Sequence, residues 1–177
     1  MKPRGQILIL IAVLLMVVMM LLAVAVDAGR LMIERTELRR AAQAAADAGV
    51  GVVAEQMVTQ AALRQTQASA QPTCPPAAPC TATPDLDDVP AWLTDEDRAT
   101  LVAPPLQTQV AEEARAYAQR NGYMEAEVIY PRAYHAGAPV VRILVTLRDT
   151  ATILLAGLLG EEWVGLAGQG QSQIPQR

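Results

Sequence analysis

The sequence predicts an α+β protein: an N-terminal transmembrane helix continuing into a long amphipathic helix, then a small domain with a helix packed on a short antiparallel sheet. Three observations carry this. Residues 7–26 form an unbroken apolar run, ILILIAVLLMVVMMLLAVAV. Residues 28–67 hold no Pro and are dominated by helix formers. Two stretches near the C-terminus, 125–130 and 139–148, carry the Val, Ile and Leu content of β-strands.

Composition agrees. Of 177 residues, 52% are hydrophobic but only 3% aromatic, and Phe is absent. Apolar content made of Ala, Val, Leu, Ile and Met favours helices and membrane over an aromatic-rich β-core. The net charge of −4 and the pI near 5.0 exclude a basic nucleic-acid binder. One His and two Ser leave little material for catalysis. A nucleophile would have to be Ser69 or Ser172, with His135 as the only imidazole base. Asp149, Glu161 and Glu162 sit at element ends, where solvated carboxylates are ordinary. No enzyme, metal site or cofactor is expected.

Residues 1–6, with Lys2 and Arg4, form the expected cytoplasmic N-terminus. Residues 7–26 follow as the transmembrane helix. Twenty residues at ~1.5 Å each cover the ~30 Å hydrocarbon core of a bilayer. A helix satisfies its own backbone hydrogen bonds in lipid. A buried helix of a soluble core rarely stays apolar on every face for so long. A cleaved secretory signal is the other alternative, since Ala23-Val24-Ala25 resembles a peptidase site. The run exceeds the usual h-region of ~7–15 residues, which favours a retained signal anchor. Arg30, Arg35, Arg39 and Arg40 after the span, counted alone, would hold the C-terminal side in the cytoplasm. A following domain of about 150 residues can translocate regardless.

Residues 27–67 read as a helical stem. Leu31, Leu38, Ala45 and Val52 recur every seven residues, with Ala41, Ala42 and Ala48 close to the same face. Glu34, Arg35, Glu37, Arg39 and Arg40 occupy other faces. Glu34 and Glu37 find no cation four residues later, so propensity and packing must hold the helix. Side chains this small let a partner backbone approach closely. The expected packing face is Leu31, Leu38, Ala41, Ala45, Ala48 and Val52, used in assembly rather than as a passive spacer. Gly49 and Gly51 are places for a bend.

Residues 68–106 read as a Pro-rich linker. Cys74 and Cys80 enclose Pro-Pro-Ala-Ala-Pro and are expected to form a small disulfide, which persists only in an oxidising compartment. Free thiols or half a metal site are the alternatives. Asp85, Asp87 and Asp88 lack the ligand alternation of an EF-hand and read as a solvated loop. A short helix starts at Thr94, with Asp95, Glu96 and Asp97 in its first turn. Trp92 is the expected anchor of this stretch.

Residues 107–168 form the expected small domain. A helix over 107–120 presents Val110, Ala114, Tyr117 and Ala118, and Asn121-Gly122 stops it. The strand 125–130 places Ala126, Val128 and Tyr130 on one side, and 139–148 is its partner. Residues 150–159 read as a short apolar helix, 163–167 as a third strand, and the Gln-rich 169–177 as a flexible tail.

Certain of these residues carry a resemblance. Arg4-Gly5-Gln6 precede the apolar run, Asp27-Ala28-Gly29-Arg30-Leu31 follow it, and Arg35, Leu38 and Ala46-Asp47-Ala48 mark the stem. This pattern resembles the TadE/TadG-like proteins of the Tad (tight-adherence, Flp-type) pilus machinery, with Arg4, Gly5, Asp27, Gly29, Arg30 and Asp47 as motif residues. The helix ending at Asn121-Gly122, the two strands and Leu158-Leu159-Gly160 resemble their C-terminal part. The resemblance implies a pilin-like small domain and a pilus-assembly component of the cytoplasmic membrane, with its bulk periplasmic or at the cell surface. Its implied partners are the bilayer and other pilus or secretion subunits, with self-association through the N-terminal helix. Pilin-like members carry Glu at the fifth position after the processed Gly. Here that position is Leu10, which favours the uncleaved, TadG-like sort. A processed minor pilin and a signal-anchored extracytoplasmic binding domain are the alternatives.

Overall fold

The computed structural model describes residues 4–70, 89–130, 141–153 and 163–174. The apolar run and the stem are one helix, α1, Arg4–Ala70, of 67 residues. Its length is ~100 Å at the standard helical rise. Gly49 and Gly51 do not interrupt it. After α1 come a 3-10 turn, Val89–Trp92, then α2 (Asp95–Leu101) and α3 (Pro104–Arg120). Three strands follow: β1 (Ala126–Ile129), β2 (Val141–Thr152) and β3 (Trp163–Ile174). They form one antiparallel sheet in the order β1-β2-β3. The α+β class is as expected.

The chain folds back along the outer half of α1. Asp97 of α2 meets Arg64, and Thr100 meets Gln60. Val110 of α3 lies within van der Waals reach of Gly49. α3 therefore descends antiparallel to α1, and Asn121-Gly122 turns the chain at the bottom. Asn121 caps the helix and Gly122 takes φ 91°, open to Gly at little cost. β1 climbs, β2 descends, and β3 climbs again beside α1.

One sheet face is covered by α1 and α3 and the other is open. Val141, Ile143, Val145, Leu147 and Ala151 of β2 point inward and are buried. The first four meet Leu38, Ala42, Ala45, Ala46, Val53 and Met57 of α1, and Leu106, Val110, Ala114 and Ala118 of α3, in one core. Outward residues of β2 include Arg142 and Arg148, and Arg148 lies 3.7 Å from Glu127 of β1. A half-covered antiparallel sheet takes this alternation.

Several expectations are corrected. α3 begins at Pro104, inside the stretch read as linker, because Pro104 and Pro105 occupy the first helical turn, where a missing N–H costs nothing. Leu93, Leu101, Val102 and Leu106 of the same stretch are core residues. Leu93 is buried there beside the half-buried Trp92. Thr150–Thr152 continue β2 rather than opening a helix. The tail is not free: Gln169–Ile174 pair with β2 from Thr146 to Val141.

α2 starts as its sequence predicts. Thr94 and Asp97 form a reciprocal capping box. Asp97 also accepts from Arg64 Nε at 3.1 Å and Nη2 at 2.9 Å. The Arg64 hydrogen bonds, seconded by Thr94, hold the Asp97 carboxyl at about 2, against the opposing effect of desolvation. A depressed carboxyl stabilises the folded state above its unfolded pKa of ~3.9, and the contribution disappears as pH falls towards the folded value. The protection factors of amides in residues 95–101, corrected for the intrinsic pH dependence of exchange, are therefore expected to fall between about pH 4 and 2. Asp97→Ala should lower the same protection factors at neutral pH, at a cost of ~1–2 kcal/mol.

Candidate functional site

The surface from which function must be read is α1 and what lies against its lower end. The first segment is bare. From Ile7 to Leu22 the large apolar side chains are exposed on every face, and the most apolar stretch of the helix touches nothing else in the protein. Among the described residues, α1 is the one helix long and apolar enough to cross a membrane.

The second segment is a charged collar just past the apolar run. Asp27 is 6% exposed, the one charged side chain buried among the described residues. Gly29 and Arg30 face outward, and Arg30 lies 4.0 Å from Glu34. That i,i+4 pair runs from Arg to Glu, the direction missed when only Glu34 and Glu37 were followed forward. Arg4 and Gly5 lie in the first turn of α1. Asp47, higher up, accepts from Gln43 Nε2 at 3.1 Å.

The third segment is the small-residue face. Its buried line runs Leu38, Ala42, Ala45, Ala46, Val53, Met57 and Ala61, with Gly49 buried inside it. Leu31, Ala41, Ala48 and Val52 flank it, half-buried. The partner that approaches this face is the protein's own sheet. A Cβ on Gly168 would stand 2.8 Å from the Leu38 carbonyl carbon, and one on Gly170 only 2.2 Å from the Ala42 carbonyl carbon and the Gln43 nitrogen. Helix backbone and strand backbone are in direct contact there. Gly49 makes room on the other flank, where a Cβ would lie 3.2 Å from Ile143 Cδ1 and 3.3 Å from Val110 Cγ1.

Gln43, beside the Ala face, ties the helix to the sheet edge. Its amide donates to the Gln171 carbonyl at 3.0 Å and accepts from the Gln171 N–H at 3.2 Å. Gln171 lies on the sheet's outer strand, so this amide occupies two backbone groups of an edge that would otherwise invite another strand.

Two open clefts lie beside the collar. One of 590 Å³ is lined by Tyr123, Glu125, Arg148, Asp149 and Leu166, among others. The other, of 240 Å³, is lined by Glu34, Glu37, Tyr123, Asp149 and Thr152, among others. Burial raises the Tyr123 phenol above its ordinary pKa, with the Asp149 and Glu37 charges adding to the effect. The carboxylates border solvent, and among the described residues no three His, Cys, Asp or Glu side chains gather as metal ligands. Cys74, Cys80, Asp85, Asp87, Asp88, His135, Glu161 and Glu162 lie outside the described residues. Ser172 is on β3, beside Ile143 of β2 in register.

Residues 5–70 match the Tad family model, described as "Putative Flp pilus-assembly TadE/G-like". The match is nearly coextensive with α1 and leaves out the sheet. The resemblance read from the motif residues holds over this segment. No curated protein matches the chain. No solved structure matches it.

Proposed function

We propose that this protein is a membrane-anchored, TadG-like component of a Flp-type pilus-assembly machine, with a structural rather than catalytic role. The observation that carries this reading is the coincidence of the TadE/G-like match with a single continuous helix that begins as an apolar span and ends as the spine of a folded domain. In this reading residues 7–26 hold the chain in the cytoplasmic membrane and the sheet-bearing part projects outside the cytoplasm. Other pilus or secretion subunits are its partners. Leu10, in place of the Glu of processed pilins, supports an uncleaved anchor.

The mature N-terminus and mass, taken from purified membranes, test this reading. The expected result is an unprocessed chain that resists alkaline extraction, with Cys74 and Cys80 protected from alkylation in intact, unreduced cells. An N-terminus at Gln6 would make it a processed pilin. An N-terminus at Val26 would make it a secreted protein. Freely alkylated thiols would remove the oxidised bridge.

A further inference from the structure

The strand β3 has a second feature that the assembly reading does not use. It climbs alongside α1 with Gly168 at Leu38 and Gly170 at Ala42, so each strand position has a known height on the helix. Leu166, one step lower, lines the same cleft as Glu34 and Glu37. At ~3.3 Å per strand residue against ~1.5 Å per helix residue, Trp163 is then level with about Asp27. That height is within ~3 Å of Val26, where the apolar run ends.

Trp163 is 60% exposed and its neighbour Val164 is 38% exposed, in a protein with two Trp in all. Trp163 pairs with Thr152, so β2 ends and β3 begins at this same height. On the helix, Met32 and Ile33 are 73% and 60% exposed just above it. Exposed apolar patches mark protein or membrane interaction sites. An indole, apolar in body with one N–H donor, is the side chain most at home at the level of lipid headgroups.

We propose that the foot of the sheet, Trp163 with Val164, docks on the lipid headgroup interface of the membrane that α1 spans. The foot stands at the height where the apolar run ends, which names lipid as the occupant rather than a separate protein. Two points of contact, the span and the foot, would fix the tilt and rotation of the sheet over the bilayer. A single helical anchor leaves the rotation free. The proposal rests on the reading of residues 7–26 as a span.

The test uses the full chain in phosphatidylcholine vesicles, with and without bromine near the top of the acyl chains. Trp92→Phe leaves Trp163 as the only indole; Trp163→Phe leaves Trp92. Trp92 adjoins α2, whose Asp97 holds Arg64, about 50 Å farther along α1. Trp163 emission is expected to fall roughly twofold in brominated vesicles and to resist aqueous acrylamide, as for an interfacial indole. Trp92 emission should be unchanged by bromine. If Trp92→Phe disturbs the fold, the wild type serves: its bromine-quenched component should vanish in Trp163→Phe. Trp163 open to acrylamide and blind to bromine, or shielded from both, overturns the proposal while the anchor stands. Protein that fails to float with the vesicles overturns the anchor and the docking together.

Discussion

Gly170→Val is expected to detach the sheet from the stem helix and leave the apolar N-terminal segment of α1 intact. A Cβ at position 170 would stand 2.2 Å from the Ala42 carbonyl carbon and the Gln43 nitrogen. Those are backbone atoms of a continuous helix, and no rotamer change moves them aside. The strand must leave or the helix must bend, so the cost should exceed the usual overpacking range, at roughly 3 kcal/mol or more. Gly51→Ala supplies the opposite sign in the same protein. Nothing lies within 4 Å of a Cβ there, so the change should stabilise the helix by ~0.5–1 kcal/mol. Urea unfolding of the detergent-solubilised protein, followed by proteolysis of residues 163–174, measures both. Equal midpoints for the two variants would mean that β3 does not lie on α1.

Substitutions at Ala45 should have comparable size and a graded order. Ala45 is fully buried in the core that α1 shares with the sheet. Ala45→Leu overpacks that contact at ~1–3 kcal/mol. Ala45→Arg adds an unpaired buried charge, which costs ~3–5 kcal/mol when no partner answers it. Gln43→Leu removes two hydrogen bonds to Gln171 and should cost ~1 kcal/mol, more than a solvated spacer residue would. The expected order of destabilisation is Ala45→Arg, Ala45→Leu, Gln43→Leu, wild type. It should appear in the isolated protein, with no other pilus subunit present. Destabilisation seen only when partner subunits are added would assign the Ala face to assembly instead.

The long apolar helix, the stem, the capped α2, the stop at Asn121-Gly122 and the pairing of β1 with β2 were legible because each has a local physical cause. An apolar run of twenty residues, a Thr-x-x-Asp cap and a Gly at positive φ need no tertiary context. β3 was half legible for the reverse reason. Its inward positions include Gly168, Gly170 and Ser172, which bring almost no side chain to bury. Hydrophobic alternation has nothing to display where backbone packs on backbone. The trace that remains is small residues alternating with Gln in Gly168-Gln169-Gly170-Gln171-Ser172-Gln173, a period of two written in size rather than polarity.

The seven-residue period of the stem runs beside its most buried line rather than along it. Leu38 and Ala45 are buried, but Val52 is only half-buried and Val53 has taken the inward place. A straight helix drifts ~20° per heptad, and only a coiled-coil partner would supercoil it back into register. The stem lies on a sheet, so its buried line follows the helical period and continues through Met57 and Ala61. The clefts by the collar were not legible at all. Both bring Tyr123 against Asp149, and the smaller adds Glu34 and Glu37, residues that no local pattern connects.

The central claim is that the small-residue face of α1 is occupied by the protein's own C-terminal strand. Hydrogen exchange of the full chain in lipid nanodiscs tests it most directly. The account predicts slow exchange through residues 38–61 and, with them, in residues 164–174, rising together as denaturant is added. Exchange of residues 169–174 at the rate of an unstructured tail, with residues 38–49 still protected, would contradict it.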